Sequence, residues 1–191
     1  MWSVDVGGAT SAPISSCETI AGVRAVQLDA RRDPRGALTE IFRSSWLPDP
    51  VPLQWNLLRS VPNALRGVHV HIHHTDYVCA VDATLRVGLK DLRRGSQTWL
   101  KDAHYALGPT DLLCIPPGVA HGFHAPQESL FLVGASAYFD PADDLGYRWD
   151  DPAGLLFPEV RDPVLSERDR SAETLSELLR ALEPHQARLA C

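Results

Sequence analysis

Four of the eight histidines in the chain fall within six residues: His69, His71, His73 and His74. Residues two apart on a strand share a face, so His69, His71 and His73 are expected on one side. Alternation sends His74 outward, and His73 lies toward a turn. Neutral imidazoles grouped on an inward face must hydrogen-bond, bind metal or titrate. The plain alternative is a partly solvated polar strand. A second concentration is Pro116-Pro117-Gly118-Val119-Ala120-His121-Gly122-Phe123, a proline–glycine turn that leads into a histidine at the start of a strand.

The elements that must position these groups are short. Strand-like runs cover residues 23–28, 38–43, 53–59, 66–72, 77–81, 85–92, 97–101, 112–115 and 130–138, separated by turn signals such as Asp33-Pro34-Arg35-Gly36. Many short strands with frequent turns predict a sandwich or barrel. Only the end reads as a helix: Leu175, Leu178, Leu179 and Leu182 recur at helical spacing within residues 172–189. Residues 1–17 read as a flexible leader, 18–170 as one domain and 171–191 as a helix packed on it.

The 191 residues suit a single domain. A net charge of -6 gives no electrostatic footprint for nucleic acid. No apolar run reaches membrane-helix length, and the first residues lack a secretory pattern. Cys17, Cys79, Cys114 and Cys191 show no C-x-x-C spacing, so Cys79 and Cys114 read as small buried hydrophobes. A cytoplasmic location is expected.

H-x-H followed by an acid, then P-x-G-x-x-H, resembles the two metal-binding motifs of the cupin superfamily. The matching residues are His69, His71, Asp76 and His121. Three imidazoles and a carboxylate suit a divalent transition metal.

A narrower resemblance is carried by whole segments. Arg35-Gly36, Glu40 and Phe42, Gln54-x-Asn56 and Leu65-Arg66-Gly67-Val68-His69 look like the dTDP-4-dehydrorhamnose 3,5-epimerase family. So do Asp91-Leu92-Arg93-Arg94-Gly95-Ser96-Gln97-Thr98, residues 115–123, Trp149-Asp150-Asp151-Pro152 and Leu165-Ser166-Glu167-Arg168-Asp169. The resemblance implies an all-β cupin jelly roll, followed here by the C-terminal helix. It also implies a homodimer that exchanges N-terminal strands, and a nucleotide-linked sugar as substrate. Family members epimerise dTDP-4-keto-6-deoxyhexoses by removing a proton alpha to the ketone and reprotonating the opposite face, usually without a cofactor.

By that resemblance His69 is the base and Asp169 orients it. Arg35 and Arg66 hold the diphosphate, and Glu40, Gln54, Asn56 and His121 line the substrate pocket. Three departures stand out. Val133 occupies the position of the catalytic tyrosine, with Tyr138 as the surviving second tyrosine. Asp76 replaces a lysine near the ketone oxygen, and His71 replaces a glutamine. The last two changes together restore the metal-binding cupin pattern. The expected function is therefore an epimerase-like isomerase with altered or restricted activity. The alternative is a metal-dependent cupin isomerase, lyase, cyclase or dioxygenase in small-molecule biosynthesis.

Overall fold

The computed structural model describes residues 20–44 and 50–189; the expected leader and the thiols of Cys17 and Cys191 lie outside them. Two antiparallel five-stranded sheets face each other. The strands are β1 (Arg24–Gln27), β2 (Ala30–Asp33), β3 (Gly36–Thr39), β4 (Gln54–Ser60), β5 (Ala64–Val70) and β6 (Asp76–Ala80). They continue with β7 (Leu85–Asp91), β8 (Asp102–Leu107), β9 (Asp111–Ile115), β10 (Val119–Ala125), β11 (Ser129–Ala135) and β12 (Leu145–Gly146). One sheet runs β1-β9-β6-β11-β4 and the other β12-β5-β10-β7-β8, while β2 and β3 form a separate hairpin. This is the expected jelly roll.

Alternation along the strands builds the core. Val78, Val87, Leu89, Leu113, Phe123 and Phe131 meet between the sheets. Cys79 and Cys114 are buried as free thiols, and burial pushes them up to about 11 and about 12. A second apolar cluster joins Leu65, Val68 and Val70 of β5 to the C-terminal segment through Leu156, Phe157, Leu175, Leu178 and Leu182.

The C-terminal helix is divided. A short α1 (Glu167–Arg170) precedes α2 (Leu175–Leu182), which opens on a capping box between Thr174 and Glu177. A 3₁₀ turn at Glu183–His185, containing Pro184, separates α2 from α3 (Gln186–Leu189). Proline has no N–H to continue the α ladder, which accounts for the break in the predicted 172–189 helix.

Residues 97–101 also differ from the expected strand: they form a turn, and β8 begins at Asp102. The buried Asp91 carboxylate organises that turn. It accepts from the Arg93 backbone at 3.0 Å, from Arg93 Nε at 2.8 Å and from Thr98 Oγ1 at 2.6 Å. Such local side-chain bonds compete with sheet pairing. Burial opposes the charge on Asp91, but the bonds from Arg93, Ser96 and Thr98 outweigh it and lower its pKa. Because the folded value lies below the unfolded one, this stabilisation is complete above about pH 4 and is lost as pH falls through the folded value. Asp91→Ala removes the carboxylate that faces the buried Arg93 guanidinium, and a loss of about 3–5 kcal/mol is expected in urea denaturation. A change under 1 kcal/mol would show the pair to be energetically idle.

Candidate active site

The cavity lies between the sheets and has a volume near 290 Å³. Its lining includes Gln54, Asn56, Arg66, His69, His71 and His121 of the expected site. Arg66 and His69 are three apart, so simple alternation would place them on opposite faces of β5. Between β5 and β10 the register shifts: His121 pairs with His69, but Phe123 pairs with Arg66. This bulge sets Gly67 and Val68 of β5 against Gly122 alone and turns both polar side chains inward. Gly67 is in a positive-φ conformation at 125°, where a Cβ would lie 2.8 Å from Gly122 Cα. Only glycine meets both demands.

His69 Nε2 lies 2.7 Å from Asp169 Oδ1. Asp169 arrives on α1 from beyond the barrel, and its other oxygen accepts from Gly67 N at 3.4 Å. A carboxylate can only accept, so the His69 proton sits on Nε2 and the Nδ1 lone pair is the base. Burial works against ionised Asp169. The hydrogen bonds from His69, Ser166 and Gly67 outweigh it and lower the Asp169 pKa.

A second polar group surrounds Asp76. His121 Nε2 and His71 Nε2 approach its Oδ2 at 3.1 and 3.4 Å. His74 Nε2 approaches Oδ1 at 3.3 Å. Burial alone would raise the Asp76 pKa, yet the three imidazoles bring it well below the carboxylate range. Burial also depresses His71, but Asp76 outweighs it and the net direction is upward. For His121 burial prevails over Asp76 and the pKa falls.

The expected metal set is therefore brought together only in part. His71, Asp76 and His121 converge with ligand atoms within 4.8 Å of one another, and His69 is not among them. His69 is engaged by Asp169 instead. His74 was expected to face outward, but β5 ends at Val70 and a bend follows, so strand alternation no longer applies. His74 is buried, stacks on His71 with ring centroids 4.0 Å apart and lines the cavity, whereas His73 is exposed.

Other expectations fall elsewhere. Tyr138 is 74% exposed, and Phe139 takes the place at the cavity wall. The Phe139 backbone N–H donates to Gln54 Oε1 at 3.0 Å, which fixes that placement. The chain bends at residues 136–137 after β11 ends, so the alternation that pointed to Tyr138 stops short of it. Arg35 and Glu40 line a separate cleft on the β2–β3 hairpin, where they pair with Asp33 and Arg43. Arg66 lines the cavity while donating to Ser60 Oγ and the Arg59 carbonyl.

Several cavity residues had no place in the expected site: His74, Phe139, Asp144 and Arg168. Arg168 is ion-paired with Asp144; its adjacency to Asp169 was the available signal. Asp143, behind the wall, accepts from the backbone of Ile72 and His73 and bonds His74 Nδ1 at 2.7 Å. Its sequence context carried no comparable signal.

Fold and site together define a cupin-type isomerase scaffold: a jelly roll with an oriented histidine facing a donor-lined cavity. The profile of the dTDP-4-dehydrorhamnose 3,5-epimerase family matches residues 18–177, and the chain belongs to that family. It is 31% identical over 173 residues to the dTDP-4-dehydrorhamnose 3,5-epimerase of Sinorhizobium fredii, covering 84% of this chain and 88% of the relative. A dTDP-4-dehydrorhamnose 3-epimerase of Streptomyces niveus is 30% identical, with 83% and 82% covered. Among solved structures, NovW superposes with a TM-score of 0.74 at 28% identity, covering 85% of this chain and 87% of that one. NovW is a 4-keto-6-deoxy sugar epimerase from the novobiocin biosynthetic gene cluster of Streptomyces spheroides.

Proposed function

We propose that the protein removes a proton alpha to the ketone of a dTDP-4-keto-6-deoxyhexose and acts as an epimerase of restricted scope. The observation that carries this reading is the His69–Asp169 pair at the cavity. Asp169 fixes the tautomer and stabilises the imidazolium that forms when Nδ1 takes the proton. Arg66 offers a guanidinium to the diphosphate. Gln54 and Asn56 supply polar contacts to the sugar, and His121 forms part of the pocket wall behind it. Arg35 and Glu40 lie away from their own chain's cavity, which fits a homodimer in which the hairpin serves the partner's site. Among the described residues no helix is long and apolar enough to cross a membrane. A cytoplasmic enzyme of natural-product deoxysugar biosynthesis suits this substrate.

The test is solvent deuterium exchange into dTDP-4-keto-6-deoxyglucose, read by mass and by position. Deuterium at carbon 3, carbon 5 or both is expected. No incorporation at either carbon, in protein shown to bind dTDP, would refute the reading. The second reading, a metal-dependent cupin enzyme acting on another substrate, is favoured by one observation: the convergence of His71, Asp76 and His121.

A further inference from the structure

The three imidazoles around Asp76 have their outer nitrogens already committed. His71 Nδ1 lies 2.9 Å from the Asp143 carbonyl oxygen, and His121 Nδ1 lies 3.2 Å from the Val119 carbonyl oxygen. His74 Nδ1 lies 2.7 Å from the Asp143 carboxylate. All three partners can only accept, so each Nδ1 carries the proton. A neutral ring of that tautomer has a bare lone pair at Nε2. Each of these Nε2 atoms points at Asp76, which also offers only lone pairs. Lone pairs that converge on one buried carboxylate oxygen are arranged as ligands around a cation, and the ligand atoms of His71, Asp76 and His121 all lie within 4.8 Å of one another.

We infer that His71 Nε2, His121 Nε2 and one oxygen of Asp76 form a divalent transition-metal site in the wall of the cavity. The spacing suits this. Ligands about 2.0–2.2 Å from a shared ion lie about 3.0–3.5 Å apart in octahedral or tetrahedral arrangements. His121 and His71 approach the same oxygen, Asp76 Oδ2, at 3.1 and 3.4 Å. The outer Nδ1–H bonds to carbonyls are those that orient metal-bound histidines. Two imidazoles and a carboxylate suit iron(II), manganese(II), cobalt(II) or zinc(II), and they leave positions open toward the cavity. His74 stacks on His71 and is held at Nδ1 by the Asp143 carboxylate, which braces the set from behind. His69 remains outside it, free to act as the base. The ion's role as a Lewis acid on the 4-keto oxygen rests on the epimerase reading; the site itself does not.

The test uses full-length protein without a histidine tag, stripped by chelation and titrated with cobalt(II). One cobalt per chain is expected, with visible ligand-field bands of nitrogen–oxygen coordination. His71→Gln and Asp76→Asn should each weaken binding at least tenfold, and His69→Ala should leave the spectrum unchanged. His71 is only partly buried, so His71→Gln keeps the test valid if Asp76→Asn fails to fold. Failure of the wild type to retain cobalt overturns the site. So does equal retention by His71→Gln. Stoichiometric cobalt with these bands, in protein that exchanges no deuterium into the sugar, upholds the site and overturns only the epimerase reading.

Discussion

Replacing His69 with alanine is expected to abolish deuterium exchange into the sugar. His69 Nδ1 is the base that the Asp169 bond leaves ready, and the 2.7 Å contact at Nε2 holds the ring against rotation. Removing a positioned general base costs about 10²- to 10⁴-fold. Asp169→Asn should fall in the same range, because an amide can donate to Nε2 and reverse the tautomer, leaving the proton where the lone pair is needed. Rates of label uptake measured beside thermal melts separate chemistry from folding. Exchange that survives in His69→Ala would assign the base to another group.

The second large effect is expected in the unmodified protein. Inversion at a carbon needs a proton delivered to the face opposite the base. The cavity walls contributed by β11 and β4 present Val133, Ala135, Leu58, Gln54 and Asn56, with Phe123 and Phe139 nearby. None of these side chains is an acid: the apolar ones have no proton to give, and the two amides keep theirs. Without a positioned acid, double inversion of dTDP-4-keto-6-deoxyglucose should be about 10²- to 10⁴-fold slower than with one. Label should therefore enter faster than configuration changes, a ratio that NMR reads directly. Val133→Tyr places a phenol on that wall and should raise inversion relative to exchange. Rapid inversion at both carbons by the wild type would show that water or another group delivers the proton.

Short strands and turns punctuated by proline and glycine made a sandwich or barrel legible in the sequence, and the family resemblance narrowed it to a jelly roll. The His69–Asp169 pair was legible only through family resemblance, since nothing local links residues 100 positions apart. Local periodicity failed where the backbone is irregular. The bulge at Gly67 reverses the phase of β5, so spacing alone misplaces Arg66 relative to His69. The bends after Val70 and Ala135 do the same for His74 and for the choice between Tyr138 and Phe139. Asp143 was hidden because its carboxylate serves backbone amides of a distant bend.

Asp169 belongs to a segment that joins the barrel from outside. Leu65 N donates to the Val164 carbonyl, Gly67 N to Asp169, and α2 covers the apolar face of β5. The strand pairings of the two sheets do not include this segment, which adds a single bridge at Val164 to the edge of β5. Stability in proteins is distributed over cooperative units that open separately. The cavity walls and the charged half of the base pair consequently belong to different units. A fluctuation that lifts the tail leaves the strand-built walls of the cavity in place but takes away Arg168 and the carboxylate that prepares His69. Binding and turnover then have different thermal limits, with turnover failing first as the tail opens on a barrel that is still folded.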